Sequence, residues 1–250
     1  MRLHVFASGS TANGYLLYND REALVIEAGV PVSKVVRFLK GNTGIIAGCL
    51  LTHEHQDHAK YVRQYMLRAI NINTSKGTAD KLDLRDAGRI NICRNWEIFS
   101  TGRFTVRPFN VHHDAAEPFG YFIHHPDCGN ILFATDTYYL DHSVSSGLNQ
   151  IMIECNYSRD LLDKNYQAKK THPIVRNRTL KSHMEHKICL EAIMSNNLHD
   201  VANIVLLHLS SNNADPDMYV NSVIERSGKR VFLARKGLDI DFNINPCFNG

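Results

Sequence analysis

The stretch Leu51-Thr52-His53-Glu54-His55-Gln56-Asp57-His58 directly follows the apolar run Ile45-Ile46-Ala47-Gly48-Cys49-Leu50. A short apolar run of this kind reads as a buried strand. A strand that ends in three imidazoles and a carboxylate delivers ligand-type side chains from a rigid edge. In extended or turning backbone His53 and His55 project to the same side, and Asp57 and His58 follow on the next turn, within reach of a second position. Catalytic zinc usually takes three protein ligands and keeps one position open. Four ligand-type groups from one stretch therefore exceed what a single tetrahedral ion needs, and the spacing points to two ions. The competing reading, a polar histidine-rich loop, leaves the spacing unexplained.

The chain has 250 residues, 44% of them hydrophobic, enough for one large core, so residues 1–250 are expected to form a single domain. A net charge of +3 permits a polyanionic substrate without demanding one. The cysteines, Cys49, Cys93, Cys128, Cys155, Cys189 and Cys247, are scattered with no C-x-x-C pair, as buried free thiols of a reducing compartment would be. The start, Met1-Arg2-Leu3-His4-Val5-Phe6, runs straight into a strand pattern rather than a signal peptide. No apolar stretch approaches the ~20 residues of a membrane span. A soluble, cytoplasmic protein with no membrane partner is expected.

Leu3 to Phe6, Tyr15 to Tyr18 and Ala23 to Ile26 read as strands, with a turn at Ala7 to Gly14 between the first two. Ser33 is placed to cap a helix that Gly41 stops. His58 to Arg68 reads as a helix with Val62, Met66 and Leu67 on one face. A second strand set covers Phe104 to Phe109, Gly120 to His124, Asn130 to Ala134, Gln150 to Glu154 and Val201 to Leu207, with His124 and His125 at a hairpin surface. His183 to Met194 is helix-like, and Asp215-Pro216 opens a helix that Gly228 ends. Two strand sets, each followed by helices, suggest face-to-face sheets with helices outside, although periodicity alone leaves an α/β barrel open.

Four further ligand-type residues lie at element ends: His113, Asp136 after Ile131-Leu132-Phe133-Ala134-Thr135, His208 after Ile204-Val205-Leu206-Leu207, and His183 in Lys181-Ser182-His183-Met184-Glu185-His186. Singly each is weak, since a histidine at a strand end is more often just hydrogen-bonded and an aspartate there is often an N-cap. Strand ends on one side of a sheet converge in space, which gives the set its weight. Imidazole and carboxylate donors suit zinc or manganese. Two such ions ~3.5–4 Å apart can share a hydroxide and clamp the attacking and leaving oxygens of a displacement. Asp57 can orient that hydroxide, and His183 can stabilise developing charge or protonate the leaving oxygen. Arg176, Arg178 and Lys181, just before His183, are candidates for backbone-phosphate contact, against the plainer reading of a solvated face. Tyr138 and Tyr139 either stack a base or pack at the rim.

These segments carry a resemblance. Ala7-Ser8-Gly9-Ser10 with Asn13, Leu51 to His58, His113 to Tyr121, Thr135-Asp136-Thr137, Glu154-Cys155-Asn156 and His208 to Asn213 look like the motifs of the metallo-β-lactamase superfamily, in its YycJ/WalJ-type branch. The resemblance implies an α+β fold, a four-layer αββα sandwich of two mixed β-sheets flanked by helices. It implies that His53, His55 and His113 hold one ion, that Asp57, His58 and His208 hold the other, and that Asp136 bridges them. It also implies phosphodiester hydrolysis, because this branch is similar to the nuclease side of the superfamily, and relatives with this fold often pair as homodimers. Two features depart from the pattern. Glu27 stands where the family commonly has Asp, and Ser182-His183-Met184-Glu185 replaces a Gly-His-Leu-Ser-like helix start, after a longer Tyr166–Lys181 segment.

The sequence thus leads to a metal-dependent hydrolase, a nuclease (exonuclease) on DNA or RNA with catalytic Asp57 and His183. A phosphodiesterase for a small cyclic nucleotide is the alternative enzyme. A thioester or lactam hydrolase fits less well, because His183 is coupled to the His-Leu-Ser segment at His208. A metal-holding adaptor without turnover is the rival from another class, and an inert centre should have lost some of these ligands.

Overall fold

The computed structural model describes residues 1–84 and 88–244. Among the described residues the chain builds two seven-stranded sheets. The first runs, edge to edge, Asp239–Asp241, Arg2–Ala7, Gly14–Tyr18, Ala23–Ile26, Ile46–Leu50, Ile72–Ser75 and Ile90–Cys93. The second runs Arg230–Leu233, Asn203–Leu207, Leu148–Glu154, Gly129–Ala134, Phe119–His125, Phe104–Asn110 and Phe99–Thr101. Both sheets are mixed, with antiparallel hairpins at one side and parallel crossovers at the other.

Alternation along the strands explains the layers. Side chains of a strand point in turn to opposite faces. Leu3, Val5, Tyr15, Leu17, Leu24 and Ile26 of the first sheet pack with Phe104, Tyr121, Ile131, Phe133, Met152 and Val205 of the second, forming the core between the sheets. The alternate residues Leu16, Val25, Cys49 and Leu51 face outward onto Val35, Val62 and Tyr65 of helices. On the far side Ile151, Ile153, Ile204 and Leu206 do the same against Cys189, Ile193, Tyr219 and Val223. Helix, sheet, sheet, helix is the four-layer α+β sandwich that the resemblance implies. No helix among the described residues is long and apolar enough to cross a membrane.

Several local expectations change. The expected helix over His58 to Arg68 is two short helices, Gln56–Ala59 and Val62–Leu67, with a break at Tyr61 (φ −110°). Tyr65 takes the buried place expected for Leu67, which is 87% exposed. Helix Val32–Phe38 starts after Pro31 with no side-chain cap, so Ser33 is inside it rather than ahead of it. His125 is fully buried and bonded to Glu22 Oε1 at 3.1 Å instead of facing solvent. Helix Pro216–Ser227 is as expected: Asp215 accepts from the Met218 N–H and Gly228 takes a left-handed φ of 66°. The described cysteines are free and buried; Cys247 lies outside the described residues.

Candidate metal centre

Parallel strands place their C-terminal ends on one edge of a sheet, where ligands of such sheets collect. Ala23–Ile26 and Ile46–Leu50 are parallel and deliver Glu27 and the Thr52–His58 segment. Gly129–Ala134, Leu148–Glu154 and Asn203–Leu207 are parallel in the second sheet and deliver Asp136, Glu154 and His208. Phe104–Asn110 runs the same way, two antiparallel steps removed, and leads to His113. Glu27, Asp136 and His208 each leave their strand with a left-handed φ of 68°, 48° and 52°. A non-glycine residue there costs on the order of 1–3 kcal/mol and persists only where its surroundings fix it. For Glu27 and His208 they do: the Glu27 N–H donates to the Leu50 carbonyl at 2.9 Å, the His208 N–H donates to Ser8 Oγ at 2.9 Å, and the His208 carbonyl accepts from Asn156 Nδ2 at 2.7 Å.

The ligand-type atoms meet in three overlapping groups, each with its atoms within 4.8 Å of one another: His53, His55, His113 with Asp136; Asp57, His58, His208 with Asp136; and Glu154, His183, His208 with Asp136. In the first, His55 Nδ1 lies 3.0 Å from His53 Nε2 and 3.1 Å from His113 Nε2. Asp136 Oδ2 is 3.6 Å from both His53 and His113 and 3.0 Å from His58 Nε2. Its Oδ1 is 3.5 Å from His208 Nε2. Asp57 Oδ2 is 3.2 Å from His58 Nε2 and 3.4 Å from His208 Nε2.

This donor set fits metal ions better than it fits hydrogen bonding. A ring nitrogen carries one N–H or one lone pair, yet His55 Nδ1 faces two other ring nitrogens at once. Donors of a tetrahedral ion with bonds of about 2.0–2.1 Å stand about 3.3 Å apart, close to the spacing seen. The supporting bonds turn lone pairs inward. His113 Nδ1 is 2.8 Å from the Ser182 carbonyl, which can only accept, so its N–H points there and Nε2 is left bare toward the cluster. Thr52 Oγ1 donates to Glu27 Oε1 at 2.6 Å and lies 2.9 Å from His53 Nδ1, which fixes His53 in the same sense. Asn13 Nδ2 reaches Asp57 Oδ2 at 3.1 Å and His58 Nε2 at 2.9 Å. Buried His58 Nδ1 has no hydrogen bond, although Glu27 Oε1 is only 3.3 Å away.

The charges are strongly coupled. Burial raises the pKa of the Asp136 carboxyl, but His208, His58 and His53 outweigh it and hold it well below the usual range. Burial likewise opposes ionisation of Asp57, while hydrogen bonds from His208 and His58 pull its pKa down. Burial disfavours a charged His58, yet the carboxylates of Asp136 and Glu27 raise its pKa well above that of free imidazole. His53 and His113 go the other way, lowered chiefly by burial. The cluster holds its carboxylates ionised and His53 and His113 neutral, the protonation state that metal ligands need, whereas His58 would give up its proton on binding an ion.

His183 does not open a helix. Helix Pro173–Ser182 ends just before it, the next begins at His186, and His183 is extended between them (φ −131°, ψ 152°). The backbone there is claimed by the strand end opposite. The Asn156 N–H donates to the Met184 carbonyl at 3.0 Å, and the Met184 N–H donates to Glu154 Oε2 at 3.2 Å. His183 Nδ1 lies 2.7 Å from Glu154 Oε1, and its ring stacks on His208 with centroids 5.2 Å apart. Burial opposes a charged His183, but Glu154 overcomes it and brings the pKa up to about 9. His186 is turned away, bonded to Ser222 at 2.7 Å and stacked on Tyr219.

Sequence reasoning gave Glu154, Asn13 and Asn156 no role, although the position of Glu154 at the end of an apolar strand was the available signal. Of the basic residues, Arg176 is paired with Asp163 at 2.6 Å and lies over the Tyr166 ring. Arg178 pairs with Asp114 at 3.0 Å, and Lys181 is exposed. Tyr138 and Tyr139 pack on His112 at ring distances of 5.2 and 5.9 Å and stay partly exposed.

Comparison with known proteins agrees with this fold. Residues 34–208 match the beta-lactamase superfamily domain. The chain is 29% identical over 248 residues to the exodeoxyribonuclease YycJ of Bacillus anthracis, covering 91% of each. It is 24% identical over 255 residues to the exodeoxyribonuclease WalJ of Streptococcus pneumoniae, covering 96% of this chain and 91% of that protein. Among solved structures, the metallo-beta-lactamase fold protein YhfI of Bacillus subtilis superposes with a TM-score of 0.71 at 14% identity, over 96% of this chain and 99% of that one.

Proposed function

This chain belongs to the beta-lactamase superfamily and is a hydrolase of it, and on that premise we propose that it is a dinuclear metal-dependent phosphodiesterase, an exonuclease on DNA. The observation that carries the reading is the position of Asp136 between two sets of inward-facing donors. Similarity to proteins named as exodeoxyribonucleases suggests the substrate class. In this reading His53, His55 and His113 would hold one ion and Asp57, His58 and His208 the other, with Asp136 available to both. Two divalent ions, zinc or manganese, would supply there an activated water and neutralise charge on the phosphoryl group.

The rest of the work falls to the chain. Glu154 keeps His183 charged at neutral pH and occupies its Nδ1. Nε2 is left to hand a proton to the departing oxygen, so His183 is the catalytic acid and Glu154 its positioning residue. Asp57 orients the attacking water through the carboxylate it shares with the centre. Arg178 and Lys181, on the solvent side of the helix that leads into His183, contact the substrate backbone. The Arg178–Asp114 pair is exposed and gives way at little cost. Arg176, tied to Asp163 and Tyr166, serves the helix instead.

The test is a panel assay with protein loaded with zinc or manganese. It offers end-labelled single- and double-stranded DNA, RNA, cyclic nucleotides and a chromogenic phosphodiester. Degradation of DNA from an end is expected. Asp57→Ala abolishes turnover and lowers metal content, whereas His183→Ala loses turnover and keeps the metals. Hydrolysis of cyclic nucleotides without attack on DNA would replace the substrate. Absence of any phosphodiester cleavage with either ion would overturn the reading.

A further inference from the structure

Four neighbouring strands of the second sheet run parallel: Gly129–Ala134, Leu148–Glu154, Asn203–Leu207 and Arg230–Leu233. The first three end in Asp136, Glu154 and His208, all in the candidate centre. The fourth ends in Arg235 and Lys236, which have no part in it. Register fixes how close they come. Leu206 pairs with Leu233, and the Ala234 N–H donates to the Leu206 carbonyl at 2.9 Å. Pairing stops there, and the Arg235 N–H turns back to the Leu233 carbonyl at 2.8 Å, so the two cations leave the sheet just after the last rung, on the strand next to the one that delivers His208.

The turn that carries these two cations is pinned between both sheets. The Leu238 N–H donates to the Arg235 carbonyl at 3.0 Å, and the Gly237 N–H donates to Val5 at 2.8 Å. Val5 returns its own N–H to Leu238 at 2.9 Å. Gly237 takes the left-handed φ of 87° that this turn requires. Arg235 and Lys236 are exposed, and among the described residues neither has a carboxylate at ion-pairing distance. Asp217 lines the neighbouring groove with them but makes no ion pair with either. Lysine and arginine on such a fixed turn, left without counter-charge, hold a net positive field at one spot.

A cavity of about 490 Å³ opens beside them, large enough for a nucleotide unit. Thr11, Ser210 and Ser211 line it with Arg235 and Lys236, and so does Ser8, the residue that accepts the His208 N–H. Its mouth thus borders the segment that delivers a candidate metal ligand. Two cations and several hydroxyls, with no carboxylate in the lining, are the donors that a phosphodiester group takes.

We propose that this cavity is a subsite for a backbone phosphate of the DNA strand, next to the phosphate being cleaved, with Arg235 and Lys236 as its cationic contacts and Thr11 and Ser211 as hydroxyl donors. The assignment rests on the nuclease reading above. It makes the strand cross the sheet edge from His183, past His208, to the turn at Arg235.

The test is binding rather than turnover. Fluorescence anisotropy follows a fluorescein-labelled single-stranded phosphorothioate deoxyoligonucleotide, which keeps the backbone charge and resists cleavage, on metal-loaded protein across a salt series, for wild type, R235A/K236A and the charge-keeping R235K/K236R. Thermal melting confirms that each variant is folded. Removing one cation that neutralises a phosphate lowers the slope of log affinity against log salt by about 0.7. R235A/K236A is expected to lose about 1.4 from the slope with weakened binding, since it removes two such cations, and R235K/K236R to restore it. An unchanged slope in R235A/K236A, with wild type binding normally, overturns this subsite alone. Failure of the wild type to bind the oligonucleotide overturns the polynucleotide reading beneath it as well.

Discussion

Gly29→Ala should damage the candidate centre without replacing any of its ligands. Gly29 sits where three segments of the site meet. Its N–H donates to the Asn13 carbonyl at 3.0 Å, and the Asn13 N–H donates to the Asp57 carbonyl at 2.7 Å. A Cβ on Gly29 would lie 1.8 Å from the Asp57 carbonyl oxygen, with the Asn13 backbone at 2.6 and 2.7 Å. All of these atoms are backbone, so no rotamer change relieves the overlap, and the helix that carries Asp57 and His58 must retreat by roughly 1 Å. Overpacking of this kind costs about 1–3 kcal/mol, and loss of the Asn13–Asp57 hydrogen bond adds about 1 kcal/mol. For a chain of this size that is a fall in melting temperature of roughly 5–15 °C. Catalysis should suffer more, because a 1 Å displacement of a catalytic group can cost about a hundredfold. Gly44→Ala is the control, since its Cβ would meet only Asn42 Oδ1 at 3.9 Å. Thermal melting and metal analysis of both variants decide the matter. A Gly29→Ala protein with wild-type melting and full metal content would falsify the claim that these backbone contacts set the site.

Three other outcomes are expected. Glu154→Gln brings the His183 titration down from about 9 toward the ordinary imidazole value of 6.5, followed by ring-nitrogen chemical shifts in chelator-treated protein; a titration left near 9 would remove Glu154 as its cause. The sign follows from the raised value: the His183–Glu154 pair contributes its full stability below about 6.5 and loses it as pH rises through about 9. Burial pushes the Cys93 and Cys128 thiols up to about 12, so iodoacetamide at about pH 8 should label neither until urea unfolds the protein; peptide mass spectrometry that finds either modified in folded protein contradicts that burial. Asp136→Ala should lower the binding of both ions, whereas His113→Ala should leave one nearly intact, by elemental analysis at matched free metal; equal losses in the two variants would deny Asp136 its shared place.

Much of the site was legible because its ligands announce themselves by type and place. His53, His55, Asp57 and His58 come from one segment, so their proximity is local, and Asp136 and His208 each follow an apolar run whose end a parallel sheet must expose, while His113 follows a strand that runs the same way. Strands such as Leu3 to Phe6 were legible from their apolar pattern, but the stacking of two sheets followed only from the resemblance, since periodicity leaves an α/β barrel open. What escaped depends on partners distant in sequence. His183 looked like a helix start because His183 to Met194 reads as helical, but the Glu154 carboxylate and the Asn156 N–H claim the Met184 backbone and hold the segment extended, and no local signal records them. His125 looked like a hairpin surface residue, and its burial depends on Glu22, more than a hundred residues away in sequence. The pairing of Arg176 with Asp163 is a contact between two helices, Arg159–Gln167 and Pro173–Ser182, that charge counting treats as one basic run. The cations at Arg235 and Lys236 acquire meaning only from the strand order that puts their strand next to the one delivering His208.

Anomalous scattering from crystals grown with zinc or manganese tests the central claim most directly. The account predicts two peaks per chain about 3.5–4 Å apart, one against His53, His55 and His113, the other against Asp57, His58 and His208, with Asp136 reaching both. A single peak, or two peaks of which Asp136 touches only one, would contradict it.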